Sequence, residues 1–169
     1  PHEATQALLA ELKKYNHKPF EVEAITIDMG LGMDYSEVAA LCEKLEIPFT
    51  QVQTQIAPII FDHRKEKNPC SMCAKMRRGS LHAAAQEAGC NKVALGHHFD
   101  DVVNTFMMNL FFEGRLGCFS PKSYLSNRKL TLIRPLLYAT EKDVQYFVRR
   151  RPMPVMTSPC PEDHATERE

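Results

Sequence analysis

Short β-prone runs alternate with longer amphipathic stretches along this chain, and no other feature restricts its fold as much. Val22, Ala24, Ile25, Thr26 and Ile27 form one run, which stops at Asp28 and a Gly30/Gly32 turn. Phe49–Gln53 alternates weakly, and Lys92-Val93-Ala94-Leu95 is a compact apolar run. Strands separated by helices of about ten or more residues predict an α/β fold, a parallel sheet with helices on both faces. Ligands of such sheets bind beyond the carboxyl ends of the strands, so the loops after Asp28 and Leu95 are expected to lie together.

The helices are legible from periodicity and from their ends. Thr5–Tyr15 carries Ala7, Leu8, Leu12 and Tyr15 at helical spacing. Asp34 with Glu37 predicts a capping box, followed by Val38, Leu41, Cys42 and Leu45 on one face until Pro48. A further helix is expected over Ile56–Arg64, before Pro69. The segment Cys73–Ala88 is rich in Ala, Met and Leu and stops at Gly89, and Asp100–Phe112 closes with Gly114. Residues 115–135 read as irregular or β-like. Thr140 with Asp143 starts a last helix through Val144, Phe147 and Val148 to Arg151, ended by Pro152 and Pro154. The tail from Thr157 is polar.

With 169 residues and 44% hydrophobic content the chain is expected to form a single domain, 1–169, around one core. Its formal net charge is zero, so contact with a polyanion must come from a local patch. No apolar run approaches the roughly 20 residues that span a bilayer, and no charged-then-apolar leader precedes the first helix. The chain therefore reads as cytoplasmic and without membrane partners. Six cysteines in that setting (Cys42, Cys70, Cys73, Cys90, Cys118, Cys160) argue for metal or redox work rather than a disulfide framework.

Pro69-Cys70-Ser71-Met72-Cys73 lets two sulfurs converge on one metal or cluster as the chain enters a helix. By spacing alone the pair is a redox dithiol or half of a structural zinc site. Cys160, held between Pro159 and Pro161, is the nearest plausible partner. Three thiolates suit a cluster with one open iron, or a catalytic zinc, and His63, His82 or His164 could instead complete a zinc tetrahedron. Cys42, Cys90 and Cys118 read as small packing residues.

Between His63 and Arg78 lie six basic side chains, Arg64, Lys65, Lys67, Lys75, Arg77 and Arg78, against one acid, Glu66. Such a surround lowers thiol pKa values and attracts phosphates, so it is a candidate RNA-binding patch as well as a solvated helix face. The run Arg149-Arg150-Arg151 suits a helix C-terminus as well as it suits RNA. Gly96-His97-His98-Phe99-Asp100-Asp101 follows a strand and opens a helix, where backbone N–H groups can meet a phosphate. Asp100 is a candidate N-cap, and the carboxylate pair Asp100 and Asp101 a candidate Mg²⁺ holder.

Taken in order, Ile25-Thr26-Ile27-Asp28, Cys70-x-x-Cys73 with Met76-Arg77-Arg78-Gly79, Gly96-His97-His98-x-Asp100-Asp101, Ile133-Arg134-Pro135-Leu136 and Pro159-Cys160-Pro161 resemble the tRNA 2-thiocytidine biosynthesis (TtcA-like) family of PP-loop ATPases. The resemblance spans most of the chain. It implies a Rossmann-like, adenine-nucleotide α-hydrolase-like fold and an ATP-dependent tRNA sulfurtransferase. Such an enzyme adenylates the C2 oxygen of a tRNA pyrimidine, in this reading cytidine, and replaces it with sulfur.

On the same resemblance Cys70, Cys73 and Cys160 hold a 4Fe–4S cluster, with the polar tail 157–169 supplying the third cysteine. Ile27, Asp28, Gly96 and His97 bind ATP, and Asp100 or Asp101 serves the Mg²⁺-dependent activation step. The implied partners are tRNA and a sulfur donor, either a cysteine desulfurase or free sulfide, and a homodimer is allowed. The family's Ser-Gly-Gly-x-Asp-Ser loop, expected ahead of the first helix, does not occur in these residues, which begin Pro1-His2-Glu3-Ala4. The first strand and phosphate loop are thus expected outside them. The alternatives are a zinc-braced, non-catalytic RNA-binding module and a PP-loop sulfurtransferase with a different acceptor.

Overall fold

The structure is a computed structural model that describes residues 2–64, 69–151, 153–156 and 159–161, apart from the side chains of residues 63 and 64. It divides into two compact units, one of Pro1–Phe20 with Asn91–Pro154 and one of Glu21–Cys90 with Val155–Glu169.

In the second of these, β1 (Ala24–Asp28) pairs in parallel with β2 (Phe49–Gln53), Ala24 opposite Phe49 and Asp28 opposite Gln53. Parallel neighbours need a crossover, supplied by α2 (Ser36–Lys44), which buries Val38, Leu41 and Cys42. Its start differs from the expected capping box. The Asp34 carboxylate accepts the Ser36 N–H at 2.9 Å, and Tyr35 stands at the N-cap without a side-chain capping bond. Asp34 therefore acts through a two-residue turn rather than through reciprocal bonds with Glu37.

The end of α2 was not legible either. Glu46 takes φ 55°, its N–H reaches the Glu43 carbonyl at 3.0 Å, and the Ile47 N–H reaches that of Cys42 at 2.9 Å. This is a Schellman closure with glutamate where glycine is usual. Pro58–Arg64 winds as a π-helix, and α3 (Pro69–Glu87) follows, burying His82, Ala84 and Ala85. The helix begins four residues before the expected Cys73 because Pro69 is tolerated in a first turn, where its missing N–H would have had no intrahelical partner. Gly89, at φ 73°, ends it as anticipated.

In the first unit β5 (Leu130–Ile133) lies between β3 (Lys92–Ala94), which is parallel to it, and β4 (Lys122–Leu125), which is antiparallel. The connection from β4 to β5 is too short for a crossover, so this pair must be a hairpin, and the parallel sheet gains an antiparallel edge. α4 (Phe99–Glu113) follows β3 and ends on Gly114 at φ 60°. α1 (His2–Tyr15) and α5 (Glu141–Arg150) close a core of Ala4, Leu136 and Val144, flanked by Leu8, Ala139, Phe147 and Val148. Thr140 caps α5, accepting from the Asp143 N–H as its sequence promised. Among the described residues no helix is long and apolar enough to cross a membrane.

Candidate functional site

Cys70 and Cys73 stand on the first two turns of α3, Cys70 exposed and Cys73 half-buried. Burial pushes the Cys73 thiol up, the Arg77 guanidinium pulls it down, and the charges of Cys160 and Cys70 push it up again. The three sulfurs expected to act together are therefore electrostatic neighbours, although Cys160 is 87 positions from Cys73 in sequence. Cys70 and Cys73 thus stand near the N-terminal end of α3, an end that favours negative charge.

Among the described residues no three His, Cys, Asp or Glu side chains converge on a single-ion position. A tetrahedral ion draws its ligands onto one centre, whereas a cubane gives each thiolate its own iron and accepts a wider triangle. Three thiols are the donor chemistry that such a cluster takes. His82, one of the zinc candidates, is only 7% exposed within α3. The His63 side chain and His164 lie outside the described residues, as do the Arg64 side chain, Lys65 and Lys67. The remaining basic candidates Lys75, Arg77 and Arg78 are exposed.

The other cysteines separate. Cys42 is fully buried, as expected of a packing residue, and Cys90 is half-buried with its thiol pushed up by burial and then by Glu23. Cys118 is exposed, its Sγ 3.4 Å from the Val102 carbonyl oxygen, so it is not a packing residue. A loop takes its exposure from tertiary placement, which local apolar composition does not reveal.

The turn after β1 reaches Cys73. Asp28 Oδ1 accepts the Gly30 N–H at 2.9 Å and Oδ2 accepts from Gln51 Nε2 at 3.1 Å. The Asp28 carbonyl takes both the Thr54 N–H at 2.9 Å and its hydroxyl at 2.7 Å. Burial pushes the Tyr35 phenol up, Asp28 adds to this, and Arg77 opposes it. Met29 then places its Sδ 3.5 Å from Cys73 Sγ. Tyr35 and Met29 carried no motif in the sequence, since their proximity depends on how β1 lies along α3.

In the other unit, Gly96 is buried and His98, 9% exposed, is the N-cap of α4. The expectation that Asp100 fills that role is corrected. Asp101 Oδ2 accepts the His98 N–H at 2.9 Å, and Asp100 Oδ2 accepts the N–H of Glu141, the first residue of α5, at 2.6 Å. His98 Nδ1 lies 3.7 Å from Asp100 Oδ2 and 3.5 Å from Asp101 Oδ2. Both carboxylates thus brace helix starts, with no hydrogen bond to either Oδ1 among the described residues. The His97 ring packs on Phe119 at 5.0 Å, and the Arg134 guanidinium lies over the same ring at 4.7 Å. Phe119 also lines a cleft of about 380 Å³ with Thr105, Asn109, Arg115, Gly117 and Cys118.

Residues 4–169 match the family model described as the PP-loop domain. The chain belongs to the PP-loop domain family. It is 36% identical over 156 residues to the tRNA-cytidine(32) 2-sulfurtransferase of Geobacter sulfurreducens, which covers 91% of this chain and 61% of that protein. It is also 36% identical over 162 residues to the enzyme of the same name from Pelobacter propionicus, 95% of this chain and 60% of that one.

Among solved structures, the U34-tRNA thiolase NcsA from Methanococcus maripaludis with its [4Fe-4S] cluster is similar at a TM-score of 0.73 and 25% identity. It covers 94% of this chain and 57% of its own. Phosphoadenylyl-sulfate (PAPS) reductase from Candida auris, at a TM-score of 0.56 and 14% identity over 90% of this chain and 70% of its own, shares the fold. The chain spans about three fifths of the length of these sulfurtransferases.

Proposed function

We propose that this chain is the PP-loop part of an ATP-dependent tRNA sulfurtransferase that thiolates C2 of a tRNA pyrimidine, cytidine in the first instance. The observation that carries this reading is that Cys70, Cys160 and Arg77 all act on the charge of Cys73 within one compact unit. Its support is the similarity to tRNA-cytidine sulfurtransferases and to a thiolase that carries a [4Fe-4S] cluster.

On this reading Cys70, Cys73 and Cys160 hold the cluster, which, when bound, supplies an open iron able to retain sulfide. The C2 oxygen attacks the α-phosphorus of ATP and pyrophosphate leaves. Hydrosulfide then adds at C2, and AMP departs with the oxygen. The exchange of oxygen for sulfur involves no net oxidation or reduction. Ile27 and Asp28, at the end of β1, and Gly96 and His97, after β3, are the nucleotide-binding candidates. Asp100 and Asp101 each offer an Oδ1 to Mg²⁺, which would offset charge developing on the pyrophosphate. Arg64, Lys65, Lys67, Lys75, Arg77 and Arg78 are the tRNA-contacting candidates, and a cysteine desulfurase or free sulfide is the sulfur source.

Two measurements test this. Protein purified without oxygen should be brown and contain iron with acid-labile sulfide; colourless protein with stoichiometric zinc would refute the cluster. tRNA from cells lacking the gene should lose a thiolated cytidine that returns on complementation. Unchanged nucleosides would refute the activity, and loss of a different thionucleoside would reassign the acceptor.

A further inference from the structure

Cys73 sits among four influences: the Arg77 charge, the two other cysteines of the triad, and the thioether of Met29. Met29 comes from a segment 44 positions away, and its backbone is pinned on both sides. Its own carbonyl accepts the Ala57 N–H at 2.9 Å, the preceding carbonyl of Asp28 takes two bonds from Thr54, and the following Gly30 N–H is held by the Asp28 carboxylate. A side chain on so fixed a loop meets the Cys73 sulfur by construction rather than by chance.

Its chemistry there is specific. A thioether sulfur carries no proton, so it can accept weakly from a protonated Cys73 but donates nothing to a thiolate. Its bulk also occupies space from which water or an amide could donate. Hydrogen bonds donated to a cluster's ligand sulfurs stabilise the more negative, reduced state and so raise the reduction potential.

We propose that Met29 shields the Cys73 sulfur from hydrogen-bond donors and thereby holds the reduction potential of the bound cluster low. The proposal rests on the cluster assignment made above. Met29 acts through Cys73 and is a positioning residue, not a catalytic one. Its role suits a reaction without net redox change, because a low potential keeps the cluster in its oxidised state against cellular reductants while sulfide is held.

The test uses the full chain, prepared without oxygen, as wild type, Met29→Leu, Met29→Gln and Met29→Ala. Iron and acid-labile sulfide are measured first, then the midpoint potential by redox titration followed by electron paramagnetic resonance of the reduced cluster. Leucine should leave the potential near that of wild type. Glutamine, which brings an N–H, and alanine, which makes room for water, should both raise it. Where glutamine lowers cluster content, alanine against leucine decides. Equal potentials in all four proteins would overturn the proposal, as would a leucine variant displaced as far as the glutamine one. A wild type without iron and sulfide overturns the cluster assignment and this proposal with it. A normal cluster whose potential none of the variants moves overturns this proposal alone.

Discussion

Replacing Gly30 by alanine should damage the loop beneath Cys73 more than the same change at Gly32, and the difference can be worked from the backbone. Both residues are left-handed, at φ 81° and 71°. An L-residue there costs roughly 1–2 kcal/mol, partly offset by the roughly 0.4–1 kcal/mol gained when alanine restricts the unfolded chain. That leaves a net loss of about 0–1.6 kcal/mol, which should be the whole effect at Gly32, where an added Cβ meets nothing within 4 Å.

At Gly30 the same carbon would lie 3.0 Å from the Thr54 carbonyl oxygen and 3.3 Å from Pro58 Cδ. The oxygen belongs to backbone and the carbon to a proline ring, so neither yields as a flexible side chain would. Overpacking of this kind adds about 1–3 kcal/mol. Urea unfolding followed by circular dichroism should therefore separate the variants by at least about 1 kcal/mol, a midpoint difference of about 0.3–1 M at common slopes of about 1–3 kcal/mol per M. Equal midpoints, with equal slopes, would refute the reasoning.

Three further outcomes are expected. Cys160→Ala should lose iron and acid-labile sulfide together, and full retention of both would remove Cys160 from the ligand set. Asp101→Asn keeps an oxygen for the His98 N–H but loses the charge that Mg²⁺ requires. Thiolation should fall at least about tenfold, while melting changes by only a few degrees; retained activity would confine Asp101 to bracing α4. Thr140→Ala should cost about 1 kcal/mol through the lost α5 cap and should also change the acid limb of stability. Thr140 holds the Asp143 carboxyl below its ordinary value, so the wild-type contribution is present above the unfolded carboxylate pKa and fades as pH falls through the lower folded one. Melting curves recorded between about pH 3 and 6 should show this fading in wild type and less of it in the variant.

Much of the secondary structure was legible because local rules and tertiary placement agree. Thr140 and Asp143 do form a capping box, and Gly89 and Gly114 do end helices in left-handed geometry. The failures fall where a residue takes an unusual duty. Glu46 closes α2 where glycine would have signalled a stop, and His98 rather than Asp100 caps α4. The edge strand β4 runs antiparallel because its connection to β5 is short, a constraint of distance that periodicity cannot express.

The cysteine triad divides along the same line. That Cys70 and Cys73 converge, that Cys160 is presented by prolines, and that basic residues surround the pair follow from spacing and composition, since each is a property of consecutive residues. The helix α3 itself sets Arg77 one turn from Cys73, whereas only the tertiary structure brings Cys160 within electrostatic reach of Cys73 and sets the Met29 thioether 3.5 Å from its sulfur. Those contacts join segments 44 and 87 positions apart. Local preferences decide how each segment winds, but the meeting of distant side chains is decided by how β1, α3 and residues 159–161 pack, where burial and hydrogen bonding over the whole unit select one arrangement.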